Sequence, residues 1–352
     1  MHHPTSQTVK LIDEYFQNLE KKLFIKQPVN LKKEKFKFFN SNCSYCPVFL
    51  YPNHKDVKLD KKIKDYINTI ANADTQELYL KKYQEYEKKT LLISAVGEDP
   101  EEFTSHSTEF YAKLDRNTIA IANKIIKHMP SKSFARKTKS HLRFKQIQKK
   151  IRRYLKNNNL QGKINIIKDR QTSNNVSIGK TSGNLNISYN YIADEDEVKD
   201  IIYHEIETHM RRLENGHKQK FGIFALGTKG YLKTEEGLAT ITGHIFKKNK
   251  NLWHPSLLAI AIHTALKANF SQVYESINSL IKNPFLSWTY AVRSKYGISD
   301  TKKKGALTKD LYLQWCIETA QDPSGWRLAS IHNLRFYQNI LNFLKDGNAK
   351  HN

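Results

Sequence analysis

Apolar residues recur along most of this chain at intervals of three and four, the period of an α-helix. Between Lys139 and Leu155 they fall at Phe144, Ile147, Ile151 and Tyr154/Leu155, with Lys and Arg filling the positions between. That spacing predicts an amphipathic, strongly basic helix. Asn117–Met129 predicts another, with Asn117 as its N-cap and Pro130 as its stop. Residues up to about Lys113 read as helical segments of mixed charge, interrupted by a loop over "SNCSYCPVFLYPNHKD", where Pro47 and Pro52 break the pattern.

The period then changes. "KINIIKD", "NVSIGK" and "NLNISYN" are short, rich in β-branched residues and separated by Asn, Ser and Gly, so they read as strands. In the last, Leu185, Ile187 and Tyr189 alternate with polar residues, the mark of a strand with one buried face. A helix follows at once, with Asp194 and Glu197 spaced as a capping-box variant and Asn215-Gly216 as the stop. After Glu235 the chain reads as helical nearly to its end, with breaks near Pro255, Pro284 and Gly297 to Gly305. The expected class is α+β, mostly α. We divide it into an N-terminal helical region, residues 1–115, and a catalytic domain, residues 116–345, unless the two form one compact body. A small sheet followed by a helix bearing His-Glu and a second His is the zincin-like arrangement of zinc peptidases, whose edge strand can pair with an extended peptide.

Composition narrows the classes. At 352 residues with 39% hydrophobic positions the chain can bury a core without staples. Its longest apolar run, "LLAIAIHTAL", is too short to span a membrane, and the N-terminus lacks the apolar stretch of a secretory signal. Three cysteines make no disulfide framework, so "CSYC" reads as structural thiols and a cytoplasmic, reducing location is expected. The net charge of +24 has a clear focus: residues 116–168 contain no Asp or Glu but many Lys and Arg. Such a field attracts nucleic acid, anionic lipid or an acidic polypeptide, unless it is only a solvated face. The chain has no helix-turn-helix, ribonucleoprotein or zinc-finger signature to favour nucleic acid.

The candidate chemistry lies in "IIYHEIETHM", Ile201 to Met210. His204 and His209 are five residues apart, and on a regular helix they point about 140° away from each other. They would then be two histidines satisfied by ordinary hydrogen bonds. A π-type turn would bring them to one face, where two imidazoles can share a metal. Downstream, "YLKTEEGLAT" places Glu235 and Glu236 near a helix start, with Thr234 as the candidate cap. Acidic residues favour a first helical turn in any case.

Three blocks, "HEIETH", "TEEGLA" and "VRSKYGISDTKKKGALTKDLYL", occur in order from about Lys180 to Leu313 and together resemble the tyrosine carboxypeptidase family. The resemblance implies Zn2+ as cofactor, held by His204, His209 and Glu236, with Glu205 as the catalytic carboxylate. Tyr312 and Tyr231 are candidate oxyanion donors, and Arg293, then Lys180 and Lys309, are candidates to bind the substrate's terminal carboxylate. The implied substrate is a protein's acidic C-terminal tail, tubulin-like, losing a tyrosine or other aromatic residue. Glu207 and Tyr296 stand where the family usually has Gly and Arg. The competing readings are a zinc endopeptidase on the same scaffold and a basic nucleic-acid- or membrane-binding protein with a degenerate peptidase fold.

Overall fold

The structure, a computed structural model, describes residues 7–54, 57–129, 141–160, 164–167, 176–179, 181–245 and 252–321. Its organisation is mostly helical with small sheets, as the periodicity predicts. The chain divides into two compact units, and the division differs from a cut at residue 115. The first unit joins Ser6–Arg136 to Leu252–Gln314; the second comprises Lys137–Asn251 and the chain from Trp315 onward, with the extreme N-terminal residues. Local periodicity cannot reveal such an excursion, because the segments flanking it read as ordinary helices.

The first unit is helical. Its core is aromatic: Phe38 lies 4.8–5.3 Å, ring to ring, from Phe270, Tyr274 and Trp288. The apolar run expected to be too short for a membrane forms helix Trp253–Ala265, buried on almost every face and packed along helix Arg116–Lys127. Among the described residues no helix is long and apolar enough to cross a membrane. Helix Arg116–Lys127 begins earlier than expected: its cap is Asp115 rather than Asn117, and the Asp115 carboxylate accepts from both Thr118 N and Thr118 Oγ1. Pro255 and Pro284 mark helix starts, where a missing N–H costs nothing.

In the second unit, β1 (Leu142–Arg143) pairs antiparallel with β5 (Ile192–Ala193). Strands β2 (Ile164–Ile167), β3 (Val176–Ile178) and β4 (Leu185–Ser188) make a sheet of order β2-β4-β3, parallel between β2 and β4 and antiparallel between β3 and β4. Leu185 and Ile187 point inward, as their alternation predicts, but Tyr189 falls just past the end of β4 and is exposed. They join the buried stripe of helix Phe144–Asn157, namely Phe144, Ile147, Ile151 and Leu155, and the buried residues Ile201, Ile206 and Met210. One apolar core thus seats the histidine segment against both the sheet and the basic helix.

Candidate metal centre

The histidine segment starts at a well-made cap. Asp194 accepts from Glu197 N at 2.9 Å, and Glu197 accepts from Asp194 N at 2.7 Å, opening helix Glu195–Asp200. From Ile201 to Met210 the backbone is a π-helix, and Arg211 N then reaches back five residues to Ile206 O. The spacing of the two histidines predicted this widening. Thr208 Oγ1 donates to Tyr203 O at 3.0 Å, and the Thr242 hydroxyl lies 3.3 Å from the same oxygen and 3.1 Å from Ala239 O. Thr242 comes from helix Tyr231–Ile245, which can approach because Gly243 faces Asp200; a Cβ there would collide with the Asp200 carboxylate.

That approach brings three side chains together. One ligand atom each from His204, His209 and Glu236 lie within 4.8 Å of one another. Glu236 Oε2 is 4.0 Å from His204 Nε2 and 3.8 Å from His209 Nε2. These separations are too long for hydrogen bonds. Four-coordinate ligands about 2.0–2.1 Å from a central zinc are roughly 3.3 Å apart, so a small inward shift closes the triangle on an ion. Two imidazoles and a carboxylate are also the donor set that zinc accepts. The residues present therefore fit the metal.

Helix Tyr231–Ile245 starts a full turn earlier than a Thr234 cap implies. Glu235 and Glu236 consequently lie beyond its N-terminus, and the helix dipole is not what places two carboxylates there. They diverge in role. Glu236 faces both histidines, whereas buried Glu235 accepts from His209 Nδ1 at 2.9 Å and from Arg212 Nε at 3.0 Å. Burial alone would favour neutral His209, but Glu236 and Glu235 beside it push the imidazole up to about 9. Burial likewise opposes the Glu235 charge, and Arg212 and His209 overcome it, holding the carboxyl at about 2. Neither Glu235 nor Arg212 has a role in the family resemblance; their signal in the chain is Arg212 lying three residues beyond His209 on the same helical run.

Glu205 is half-buried next to His204, and its charge acts on His209 and on the half-buried Tyr191 phenol. Glu207 turns the other way. It accepts from Tyr154 Oη at 2.8 Å and from Arg211 Nε and Nη2 at 3.1 and 2.8 Å. The residue that departs from the family pattern is thereby tied to the basic helix and does not enter the cluster.

A sequence model described as microtubule-associated tyrosine carboxypeptidase matches residues 36–321. The chain belongs to the tyrosine carboxypeptidase family. It is similar to the mouse protein named "Putative tyrosine carboxypeptidase MATCAP2", with 27% identity over 306 residues, 83% of this chain and 49% of that one. It is also similar to human microtubule-associated tyrosine carboxypeptidase 1, with 33% identity over 114 residues, 31% of this chain and 24% of the human protein. The chain spans about half the length, or less, of these relatives.

The remaining family-derived candidates among the described residues have partners of their own. Arg293, Lys309 and Tyr312 belong to the first unit, whereas the cluster is in the second. Arg293 Nε donates to Asp310 at 2.7 Å, and its guanidinium lies 6.0 Å from the Tyr312 ring centre. Burial opposes the Arg293 charge, but Asp310 outweighs it and raises the guanidinium further above its usual range. Lys309 is exposed beside this pair and helps keep Asp310 ionised. Lys180 lies outside the described residues. Tyr231 packs over Arg212, 5.2 Å from ring centre to guanidinium. Tyr296, the second departure, packs against Tyr51 among Leu92, Phe103, Ile298 and Leu307.

Proposed function

We propose that this protein is a zincin-like zinc metallocarboxypeptidase that removes the C-terminal residue, tyrosine or another aromatic, from an acidic protein tail. The observation that carries the reading is the convergence of His204 and His209, from a π-helix, with Glu236, from helix Tyr231–Ile245, inside a family-matched chain. His204, His209 and Glu236 would hold the zinc, which would supply Lewis-acid chemistry and lower the pKa of water toward about 7. Glu205 takes a proton at its carboxylate and returns it to the leaving amine. Arg293, with its planar fork, is the family-derived first candidate to receive the substrate's terminal carboxylate.

The acidic character of the substrate rests on the basic helix. Lys145, Lys149, Arg152, Arg153 and Lys156 are all exposed on helix Phe144–Asn157, and the same helix touches the histidine segment through Tyr154 and Glu207. At 1.5 Å per residue these cations extend over about 16 Å, the reach of roughly five residues of extended peptide. Human microtubule-associated tyrosine carboxypeptidase 1 carries microtubules in its name, and a tubulin-like tail has the matching charge.

A mass-spectrometric screen of peptides with varied C-terminal residues, incubated with zinc-loaded protein, tests the reading. Release of a single terminal residue, fastest after acidic sequence, is the expected result. Internal cleavage would make the protein an endopeptidase, and no cleavage with zinc bound would leave a degenerate peptidase fold.

A further inference from the structure

Glu235 and Glu236 are adjacent, and both are within reach of His209, yet they meet opposite nitrogens of its ring. An ionised carboxylate can only accept hydrogen bonds, so His209 Nδ1, 2.9 Å from Glu235 Oε1, must be the donor. Nε2, which faces Glu236 and His204, is then the nitrogen that ligates once a metal displaces its proton. The same Glu235 oxygen accepts from Arg212 Nε at 3.0 Å. Arg212 is itself fixed in two further ways: Nη1 donates to Ala225 O, and its guanidinium lies against the Tyr231 ring. Tyr231 in turn packs on Gly227, whose positive φ of 86° and bare Cα leave room for the ring. A Cβ at Gly227 would overlap the ring.

We propose that Glu235 and Arg212 are positioning residues that aim His209 Nε2 at the metal. Arg212 is the anchor and Glu235 the arm. The pair fixes the imidazole rotamer, selects the nitrogen that carries the proton, and increases ligand basicity through the Nδ1–H bond. It has a second consequence for the neighbouring residue. Glu235 is held on the far side of His209, so Glu236 alone of the two provides a donor, and the protein supplies three ligands instead of four. Three protein ligands leave the open position that separates a catalytic zinc site from a structural one. This inference rests on the zinc reading above, and its test does not depend on peptide cleavage.

Zinc affinity is measured by competition with a chromogenic chelator, and the His209 Nδ1–H proton is sought by NMR in the zinc-loaded protein. Glu235→Leu should weaken zinc binding by about 10- to 100-fold, the usual effect of losing such a partner, and should erase the hydrogen-bonded downfield proton. Glu235→Gln should retain the proton and stay within about threefold of wild type, because Arg212 orients the amide oxygen toward Nδ1 as it orients the carboxylate. Arg212→Met should weaken zinc several-fold while touching neither ligand nor arm, and Arg212→Lys should recover part of that loss. These Arg212 variants decide the matter if Glu235→Leu fails to fold. Unchanged zinc affinity and an unchanged proton resonance in Arg212→Met or Glu235→Leu would overturn the positioning role. Equal weakening in Glu235→Gln and Glu235→Leu would also overturn it, showing that charge and not orientation matters. If the wild-type protein binds no zinc, the metal reading itself falls and takes this inference with it; zinc binding that is indifferent to all four variants removes this inference alone.

Discussion

Two buried ionic arrangements in this molecule show opposite designs. In the first unit Arg293 is paired with Asp310, and Lys295, wholly buried, donates to three carbonyl oxygens, those of Ala265, Ala268 and Lys303, at 2.6–3.0 Å. Each charge there ends on a partner. In the second unit Glu235 is similarly satisfied by Arg212 and His209, but three donor atoms beside it converge at separations no hydrogen bond spans. Burying a charged group is costly unless it is paired, so a satisfied cluster is accounted for by stability. Convergent donors that do not bond each other are accounted for by a ligand. Arg293 is the case where the two accounts compete, since it is both a half-buried cation paired with buried Asp310 and the first candidate for the substrate carboxylate.

The largest effect should be on turnover. Glu205→Gln keeps the shape of the side chain but cannot accept a proton, so kcat should fall by about 10²–10⁴-fold with zinc still bound, whereas His204→Ala should lose the metal too. Metal analysis alongside single-turnover kinetics separates the two, and full activity in Glu205→Gln would remove it from the mechanism. Next comes the substrate's terminal charge. Amidating the C-terminus should slow cleavage at least tenfold, on the order of 2 kcal/mol or more, through the lost carboxylate contact. Arg293→Ala should erase the acid/amide difference if Arg293 is the anchor; Asp310→Asn, which breaks the same ion pair and keeps the guanidinium, should preserve it. If the difference survives in Arg293→Ala, the anchor is elsewhere, and Lys309 and Lys180 are the next to test.

The stability of the paired arrangement gives a third prediction. Removing one member of a buried ion pair costs about 3–5 kcal/mol, so Arg293→Ala should show a clearly lower urea midpoint. Burial would raise the Asp310 pKa, but Arg293 and Lys309 lower it overall. Its folded value is thus below the unfolded value of about 4, so the native state binds fewer protons. The pair's contribution is full above about pH 4 and is lost as pH falls through the folded value. Arg293→Ala should flatten that acid limb, and an unchanged limb would mean that Asp310 is held by something else. The smallest effect is electrostatic steering: between about 0.05 and 0.3 M salt, kcat/KM for an acidic tail should fall several-fold, and for a neutral peptide hardly at all. Equal responses would detach the basic helix from substrate capture.

How much of this was legible in the sequence depended on range. The widened turn was readable, because the angle between His204 and His209 is a local property of one helix. The basic helix and the three strands were readable for the same reason. The boundary between units was not, since it depends on which helices pack together across more than a hundred residues. The family blocks named Glu236 as the ligand, but nothing in the sequence assigned Glu235 its work, because that depends on Arg212, which approaches from another helix. Glu207 looked like a disturbance inside the motif, and only its bonds to Tyr154 and Arg211 show that it faces away.

The divided first unit also bears on how the chain is made. Ser107 and Thr308, 201 residues apart, bond to one another through both side chain and backbone, so the two halves of that unit are synthesised with most of the other unit's chain between them. At about 5–20 residues per second, the ribosome completes helix Trp253–Ala265 roughly 7–28 seconds after helix Arg116–Lys127. During that interval helix Arg116–Lys127 has no Trp253–Ala265 to cover it. Compaction of the intervening residues shortens the loop the two halves must close, and in this way the segment that carries the histidines becomes a folding aid to the unit that surrounds it in sequence.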